Sequence, residues 1–301
     1  MAVAYERVKS HGEVESASSE IANEVGEFGA ESWLASWDSA EHAAAVETVR
    51  TAIAAGEVYQ VNVVGHRRAR LGGKAAAQAV AWRLVEVGAA YGGSVVGDGW
   101  SVHSASPELL VGVRDGQIRT EPIKGTIAGI GRDEVRALRD SRKDRAEHVM
   151  IVDLERNDLA RLATIGSVEV RDLYEIRPWA GLSHAHSTVG ARLRPGVEFA
   201  EVVRAVLPGG SVTGAPKVAA LRILHEVEPV GRGPAMGAMG WLDADGSLEL
   251  GLTIRTVACD HVDGWIDLWT GGGVTWASTA EGEVAEAEAK AAAVVSAVQR
   301  A

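Results

Sequence analysis

Apolar residues recur at helical spacing between about Ala40 and Ala55, at Ala44, Val46, Val49 and Ile53, and Gly56 follows as a stop signal. Val58–Val64 then reads as a strand and Ala75–Gly88 as a second helix, closed by glycine. Strands are predicted at Trp100–Ser104, Leu109–Val113 and Gln117–Glu121, and Asp115-Gly116 between the last two is a type I′ hairpin signal. Helical character covers much of Arg136–Ala163. Residues 166–194 alternate between strands and short turns, with Pro178 and Pro195 as punctuation. Pro216–Val227 is an amphipathic helix with Val218, Leu221, Leu224 and Val227 on one side. In the last third, Met236–Leu242, Leu248–Cys259, Trp265–Thr270 and Val274–Trp276 read as strands. Asp245-Gly246 and Asp263-Gly264 make the first three an antiparallel meander, and a Glu/Ala-rich helix, Glu281–Arg300, closes the chain.

Strands come in hairpins, not in strand–helix–strand alternation. This predicts an α+β fold in which large antiparallel β-sheets form a sandwich-like core flanked by helices. Residues 1–40 are polar and weakly periodic, a lead-in without a clear element, and 41–301 read as one domain.

Hydrophobic residues at 47% and charged residues at 24% describe a soluble globular protein. The formal net charge of -11 and the absence of a Lys/Arg-rich tract exclude a nucleic-acid partner. A small anionic substrate must therefore be drawn in by local cations or a metal. The single cysteine, Cys259, rules out a disulfide framework and fits a reducing cytoplasm. The start, Met-Ala-Val-Ala-Tyr-Glu-Arg, lacks the features of a signal peptide, and Ala291–Val298 is too short to span a membrane.

Two acidic pairs lie three residues apart on predicted helices, Asp144 with Glu147 and Glu283 with Glu286. That spacing puts both carboxylates of a pair on one helix face, where they can hold a magnesium ion or simply face solvent. Lys124 sits in the stiff setting Glu-Pro-Ile-Lys-Gly-Thr, where burial would lower its pKa and make it a nucleophile. Glu108, at a strand start, is a general acid if desolvated and an ordinary surface glutamate if not. The segment Pro208–Lys217 has Walker-like glycine spacing. Ala215-Pro216 replaces the residues a nucleotide loop needs, so it can present amides only to a smaller anion. Gly271, Gly272 and Gly273 after a strand offer a backbone nest or a tight sheet corner. Arg255 reads as a mid-strand arginine needing an anion partner if it faces inward. His184 and His186 share a strand face but have no third zinc ligand patterned nearby.

Taken together and in order, these segments resemble the chorismate-utilising enzymes: anthranilate synthase component I, aminodeoxychorismate synthase component I, and the isochorismate and salicylate synthases. The resemblance rests on Gly-Glu-Val-Tyr-Gln-Val-Asn at 56–62, Ser-Pro-Glu at 106–108, Pro-Ile-Lys-Gly-Thr at 122–126 and the run from Asp144 to Asp158. It continues through Pro208–Lys217, Thr-Ile-Arg-Thr, the triple glycine, and Ser278 through Lys290. It implies a Mg2+ ion held chiefly by Glu147 and Glu286, with Asp144 and Glu283 in support, gripping a carboxylate of chorismate. It also implies substrate contacts from Arg255, Gly271, Gly272, Gly273, Lys290, Thr126 and Thr213. Glu108 would protonate the departing C4 hydroxyl, and His184 would line the pocket beside it.

Gln60 stands where the water-using members carry a water-activating lysine, and glutamine is no base. Lys124 stands where the resemblance to aminodeoxychorismate synthase places a lysine that attacks C2 of chorismate before ammonia adds at C4. The expectation is amination at C4, with ammonia supplied by a separate glutamine amidotransferase (glutaminase) subunit. Anthranilate formation and a truncated, non-catalytic chorismate-binding protein are the alternatives. Relatives of this type carry roughly a hundred further residues ahead of the Ala40 helix. In some members that segment forms a tryptophan pocket, so no tryptophan regulation is expected. Trp241 also departs from the tyrosine that relatives often carry.

Overall fold

A computed structural model describes residues 33–299 apart from 73, 180 and 181, so most of the lead-in expected for 1–40 lies outside the described residues. Asp38 starts the first helix: its Oδ1 accepts from the backbone of Ala40 and Glu41, both at 2.8 Å, while Glu41 Oε2 accepts from the Asp38 amide. The elements run β1 (Leu34–Ala35), α1 (Ser39–Ala54), β2 (Gln60–Arg70), α2 (Lys74–Glu86), β3 (Gly93–Gly97), β4 (Trp100–Ser104), β5 (Leu109–Arg114) and β6 (Gln117–Glu121). Next come β7 (Ile123–Ala128), α3 (Arg132–Asp140), α4 (Arg142–Ala160), β8 (Glu169–Trp179), β9 (Leu182–Arg192) and α5 (Phe199–Val206). The rest are β10 (Gly214–Ala215), α6 (Lys217–Val227), β11 (Ala238–Leu242), β12 (Leu248–Leu252), β13 (Thr256–Asp260), β14 (Trp265–Val274) and α7 (Ala280–Gln299).

The strands form two seven-stranded antiparallel sheets. One has the order β1-β2-β14-β13-β4-β3, with β10 added to β2; the other runs β11-β12-β5-β6-β9-β7, with β8 beside β9. This is the α+β arrangement that the hairpin pattern predicts. Asp115 and Gly116 take φ 50 and 69, as a type I′ turn requires between β5 and β6. The largest hydrophobic cluster joins Leu110, Val111, Ile118 and Leu252 of one sheet to Val64 and Trp269 of the other, so a single core spans both. A second cluster packs α2 and α7 on the first sheet and includes Cys259, a buried core thiol as expected. Among the described residues no helix is long and apolar enough to cross a membrane.

Three expectations are corrected. The helix read across Arg136–Ala163 is two helices, because Ser141 adopts an extended conformation that ends α3 and then caps α4. The strand read across Leu248–Cys259 breaks at Thr253-Ile254-Arg255, where Arg255 takes a positive φ of 49 and the chain leaves one sheet for the other. Arg255 is therefore at a crossing point between sheets, not in mid-strand. The triple glycine is not a nest after a strand, because β14 runs straight through it. Gly271, Gly272 and Gly273 pair with Val64, Val63 and Asn62 of β2. A Cβ on Gly271 would fall 1.9 Å from the Val63 carbonyl oxygen, so only glycine permits this approach.

Candidate active site

The bare backbone of β14 forms a floor beneath the site. A methyl group on Gly273 would sit 2.6 Å from Gln60 Nε2 and 3.1 Å from Lys124 Nζ, so the two side chains share the space that glycine leaves. Lys124 projects from β7, whose register against β9 shifts between Ile123 and Thr126. Gly125, at φ +79, supplies the conformation that a larger residue would resist. Burial holds the Lys124 amine below its ordinary pKa, and the nearby Lys290 cation adds to this. Glu147, Glu108 and Glu286 pull the other way. Gln60 is fully buried, and neither of its amide atoms has a hydrogen-bond partner among the described residues. An amide left so is available to a bound molecule.

Carboxylates from α4 and α7 gather beside this floor. Glu147 Oε1 accepts from Thr275 Oγ1 at 3.2 Å, and Glu283 Oε1 accepts from Ser278 Oγ at 2.6 Å. A Cβ on Gly272 would meet Glu283 Oε2 at 2.7 Å and Glu286 Oε1 at 3.5 Å. Both glutamates of α7 thus bend over the same glycine. Burial pushes the Glu147 and Glu283 carboxyls up from the usual range. Burial acts on Glu286 too, but the Lys290, Lys124 and Lys143 ammonium groups outweigh it and hold that carboxyl down. Lys290 Nζ donates to Glu286 Oε1 at 2.6 Å and to the Gly271 carbonyl at 2.8 Å. Asp144 sits apart from this cluster. It accepts from Ser141 Oγ and packs against Gly125.

Glu283 is 4% exposed, and its Oε2 has no hydrogen-bond partner among the described residues. A buried, unpaired carboxylate oxygen facing a glycine cradle suits a hard cation that takes oxygen ligands. Among the described residues no three His, Cys, Asp or Glu side chains close into a metal cage. Magnesium does not need one, since it binds through one or two carboxylates and keeps water or substrate oxygens. The residues fit that ion.

Glu108, within the field of Lys124 and Arg255, is 4% exposed and accepts a 2.6 Å hydrogen bond from Ser211 Oγ. Burial raises its pKa against the opposing pull of Ser211, Lys124, the Ile123 amide and Arg255. The surface-glutamate alternative is thereby removed. His184 and Thr126, paired across β9 and β7, are joined by a 2.8 Å contact between Nδ1 and Oγ1. Burial, aided by the Arg255 cation, lowers the His184 pKa to about 4, so its ring is neutral at pH 7. Thr213 is fully buried, with its Oγ1 unpaired among the described residues.

Lys124, Glu108, Arg255, His184, Thr126, Gly271–Gly273, Glu147, Glu283, Glu286 and Lys290 thus form one connected neighbourhood. Sequence reasoning passed over Ser211, although it stands inside the glycine-rich segment it singled out. It also passed over Lys143, although Lys143 lies four residues before Glu147 and so on the same helix face. Ser278 opens the segment that runs to Lys290, but its bond to Glu283 depends on how the chain enters α7.

Known proteins resemble this chain in sequence and fold. A family model described as chorismate binding enzyme covers residues 4–296. The chain belongs to that family of chorismate-binding enzymes. It is 40% identical over 191 residues to aminodeoxychorismate synthase component 1 of Salmonella typhimurium, covering 62% of this chain and 42% of that protein. The corresponding protein of Klebsiella aerogenes is 38% identical over 232 residues, 75% of this chain and 51% of its own length. Anthranilate synthase component 1 of Streptomyces coelicolor is 35% identical over 282 residues, 91% of this chain and 54% of that one. The chain spans about half the length of these curated relatives. A crystal structure of anthranilate synthase component I from Streptococcus pneumoniae superposes with a TM-score of 0.80 at 27% identity, over 95% of this chain and 67% of that one.

Proposed function

We propose that this chain aminates chorismate at C4, giving 4-amino-4-deoxychorismate, with ammonia delivered by a glutaminase subunit. The observation that carries this reading is the placement of Lys124. Its amine is held below its ordinary pKa by burial, shares the Gly273 floor with Gln60, and lies within the field of Glu108. A lowered pKa raises the share of neutral amine, the nucleophilic form.

In the proposed sequence Lys124 Nζ forms a bond to C2 of chorismate, the two conjugated ring double bonds each shift by one position, and the C4–O bond breaks. Glu108, whose carboxyl burial shifts toward the protonated form, gives its proton to the departing hydroxyl, which leaves as water. Ammonia then bonds to C4, both double bonds return, the C2–N bond to Lys124 breaks, and the proton shed by the new C4 ammonium restores Glu108. The net change is chorismate plus ammonia to aminodeoxychorismate plus water. Gln60 offers an amide where a general base would activate water, which favours ammonia over water as nucleophile. Arg255, Lys290 and the backbone of Gly271–Gly273 hold the anionic substrate, while His184, Thr126 and Thr213 line the pocket. Glu147 and Glu286 would hold Mg2+, with Glu283 in support and Asp144 left out of the set by its place apart, and the ion would neutralise a substrate carboxylate and withdraw electrons from the ring.

The test incubates the protein with chorismate, ammonium and magnesium. A product that added lyase converts to p-aminobenzoate supports the reading. Anthranilate fluorescence would shift it to C2 amination, and heat stabilisation by chorismate without any product would leave a binding protein. Lys124→Ala is expected to lose C4 amination while still binding chorismate. Unchanged turnover in that variant removes the covalent step.

A further inference from the structure

The acidic cluster already contains a cation supplied by the chain. Lys143, in the first turn of α4, places Nζ 3.8 Å from Glu147 Oε1 and 3.8 Å from Glu283 Oε1, so it bridges the two helices that carry the carboxylates. Glu286 lies within its field as well. Its side chain is 45% exposed, whereas those of Glu147 and Glu283 are 14% and 5% exposed. The lysine therefore reaches inward from the rim.

The two lysines of this cluster are held differently. Lys290 is fixed by hydrogen bonds of 2.6 and 2.8 Å. Lys143 stands beyond hydrogen-bond range of both carboxylates, and Glu283 Oε2 beneath it keeps no partner among the described residues. An ammonium on a flexible four-carbon stem, attracted but not bonded, can swing into water when a stronger cation arrives. Without any cation, Glu147, Glu283 and Glu286 would repel one another across the α4–α7 contact.

We propose that Lys143 is a stand-in cation: it holds Glu147 and Glu283 together while the metal site is empty, and a divalent ion must displace it to bind. The idea rests on the magnesium reading of these carboxylates. It makes Lys143 a tether that weakens metal affinity while protecting the metal-free fold, and thereby sets how much free magnesium is needed to load the site.

The test measures magnesium binding by titration calorimetry in low-salt buffer, and melting temperature with and without magnesium, on the full chain. Lys143→Gln is expected to bind magnesium about tenfold more tightly, because two or three partly screened attractions no longer compete. It is also expected to melt below the wild type without metal, and the gap should close at saturating magnesium. Lys143→Arg, which keeps the charge, and Arg142→Gln, which removes an exposed neighbouring charge, should both stay within about twofold of the wild type. Unchanged or weaker magnesium binding by Lys143→Gln overturns the proposal, as does equal destabilisation with and without metal, which would mark a purely structural lysine. The two readings fail differently. If the wild type shows no magnesium uptake that Glu286→Gln weakens, both fall. If that uptake is present and Lys143→Gln leaves it unaltered, only the stand-in role falls.

Discussion

Removing the Ser211 hydroxyl should move the pH profile of the reaction upward without abolishing it. Ser211 Oγ donates to Glu108 Oε1 at 2.6 Å inside a buried setting, and this bond favours the ionised carboxylate. A hydrogen bond to a charged group contributes about 1.5–3 kcal/mol. At about 1.4 kcal/mol per pH unit, its loss in Ser211→Ala raises the Glu108 pKa by roughly one to two units. In the proposed reaction Glu108 is the general acid and acts in its protonated form, so activity should fall as pH rises through that pKa. The alkaline limb of kcat/KM should therefore shift to higher pH by about the same one to two units. The assay follows product formation from chorismate across the pH range, with free ammonia held constant so that the nucleophile does not contribute its own titration. Glu108→Gln is the companion variant and should remove the limb along with most of the activity. A Ser211→Ala profile whose alkaline limb stays in place, or moves down, refutes the assignment of Glu108 as the acid.

Three other outcomes follow from particular contacts. Gly273→Ala puts a methyl group 2.6 Å from Gln60 Nε2 and 3.1 Å from Lys124 Nζ, both at flexible side-chain ends. The fold should survive by circular dichroism while turnover drops by about a hundredfold, in keeping with the sensitivity of catalysis to displacements near 1 Å. Lys217→Met leaves Asp158 without its 2.6 Å partner in a largely buried position, and denaturant unfolding should show a loss of about 3 kcal/mol. His103 has its pKa lowered by burial, with His261 adding, from 6.5 to about 4. It is neutral in both states above pH 6.5. As pH falls from there toward 4, the unfolded chain takes up a proton that the native state refuses, and stability declines by about 1.4 kcal/mol per unit. In His103→Gln that share of the decline should vanish, so the stability gap between variant and wild type should change across this window in the variant's favour. A constant gap contradicts the assignment.

The sequence by itself determined the hairpins and the class of the fold. Asp115-Gly116 could close only a tight turn, and alternating apolar strands without intervening helices could pair only antiparallel. It also named most of the residues that the fold gathers into the candidate site, because Glu147, Glu283, Glu286, Lys124 and Glu108 stand in ordered local motifs that a single chain can display. What tertiary structure decided was how those motifs face one another. Arg255 reads as strand and proves to be the crossing between sheets. Gly271–Gly273 read as a nest and prove to be the floor of the site, because bareness at Gly272 and Gly273 matters only once Glu283, Glu286, Gln60 and Lys124 arrive from elsewhere. Ser211 and Glu108 are more than a hundred positions apart, and no local pattern can signal a bond across that distance. Burial, which raises the pKa of Glu108 and lowers that of Lys124, is a property of the whole packed chain, and a sequence states the charge of a residue without stating how much water surrounds it.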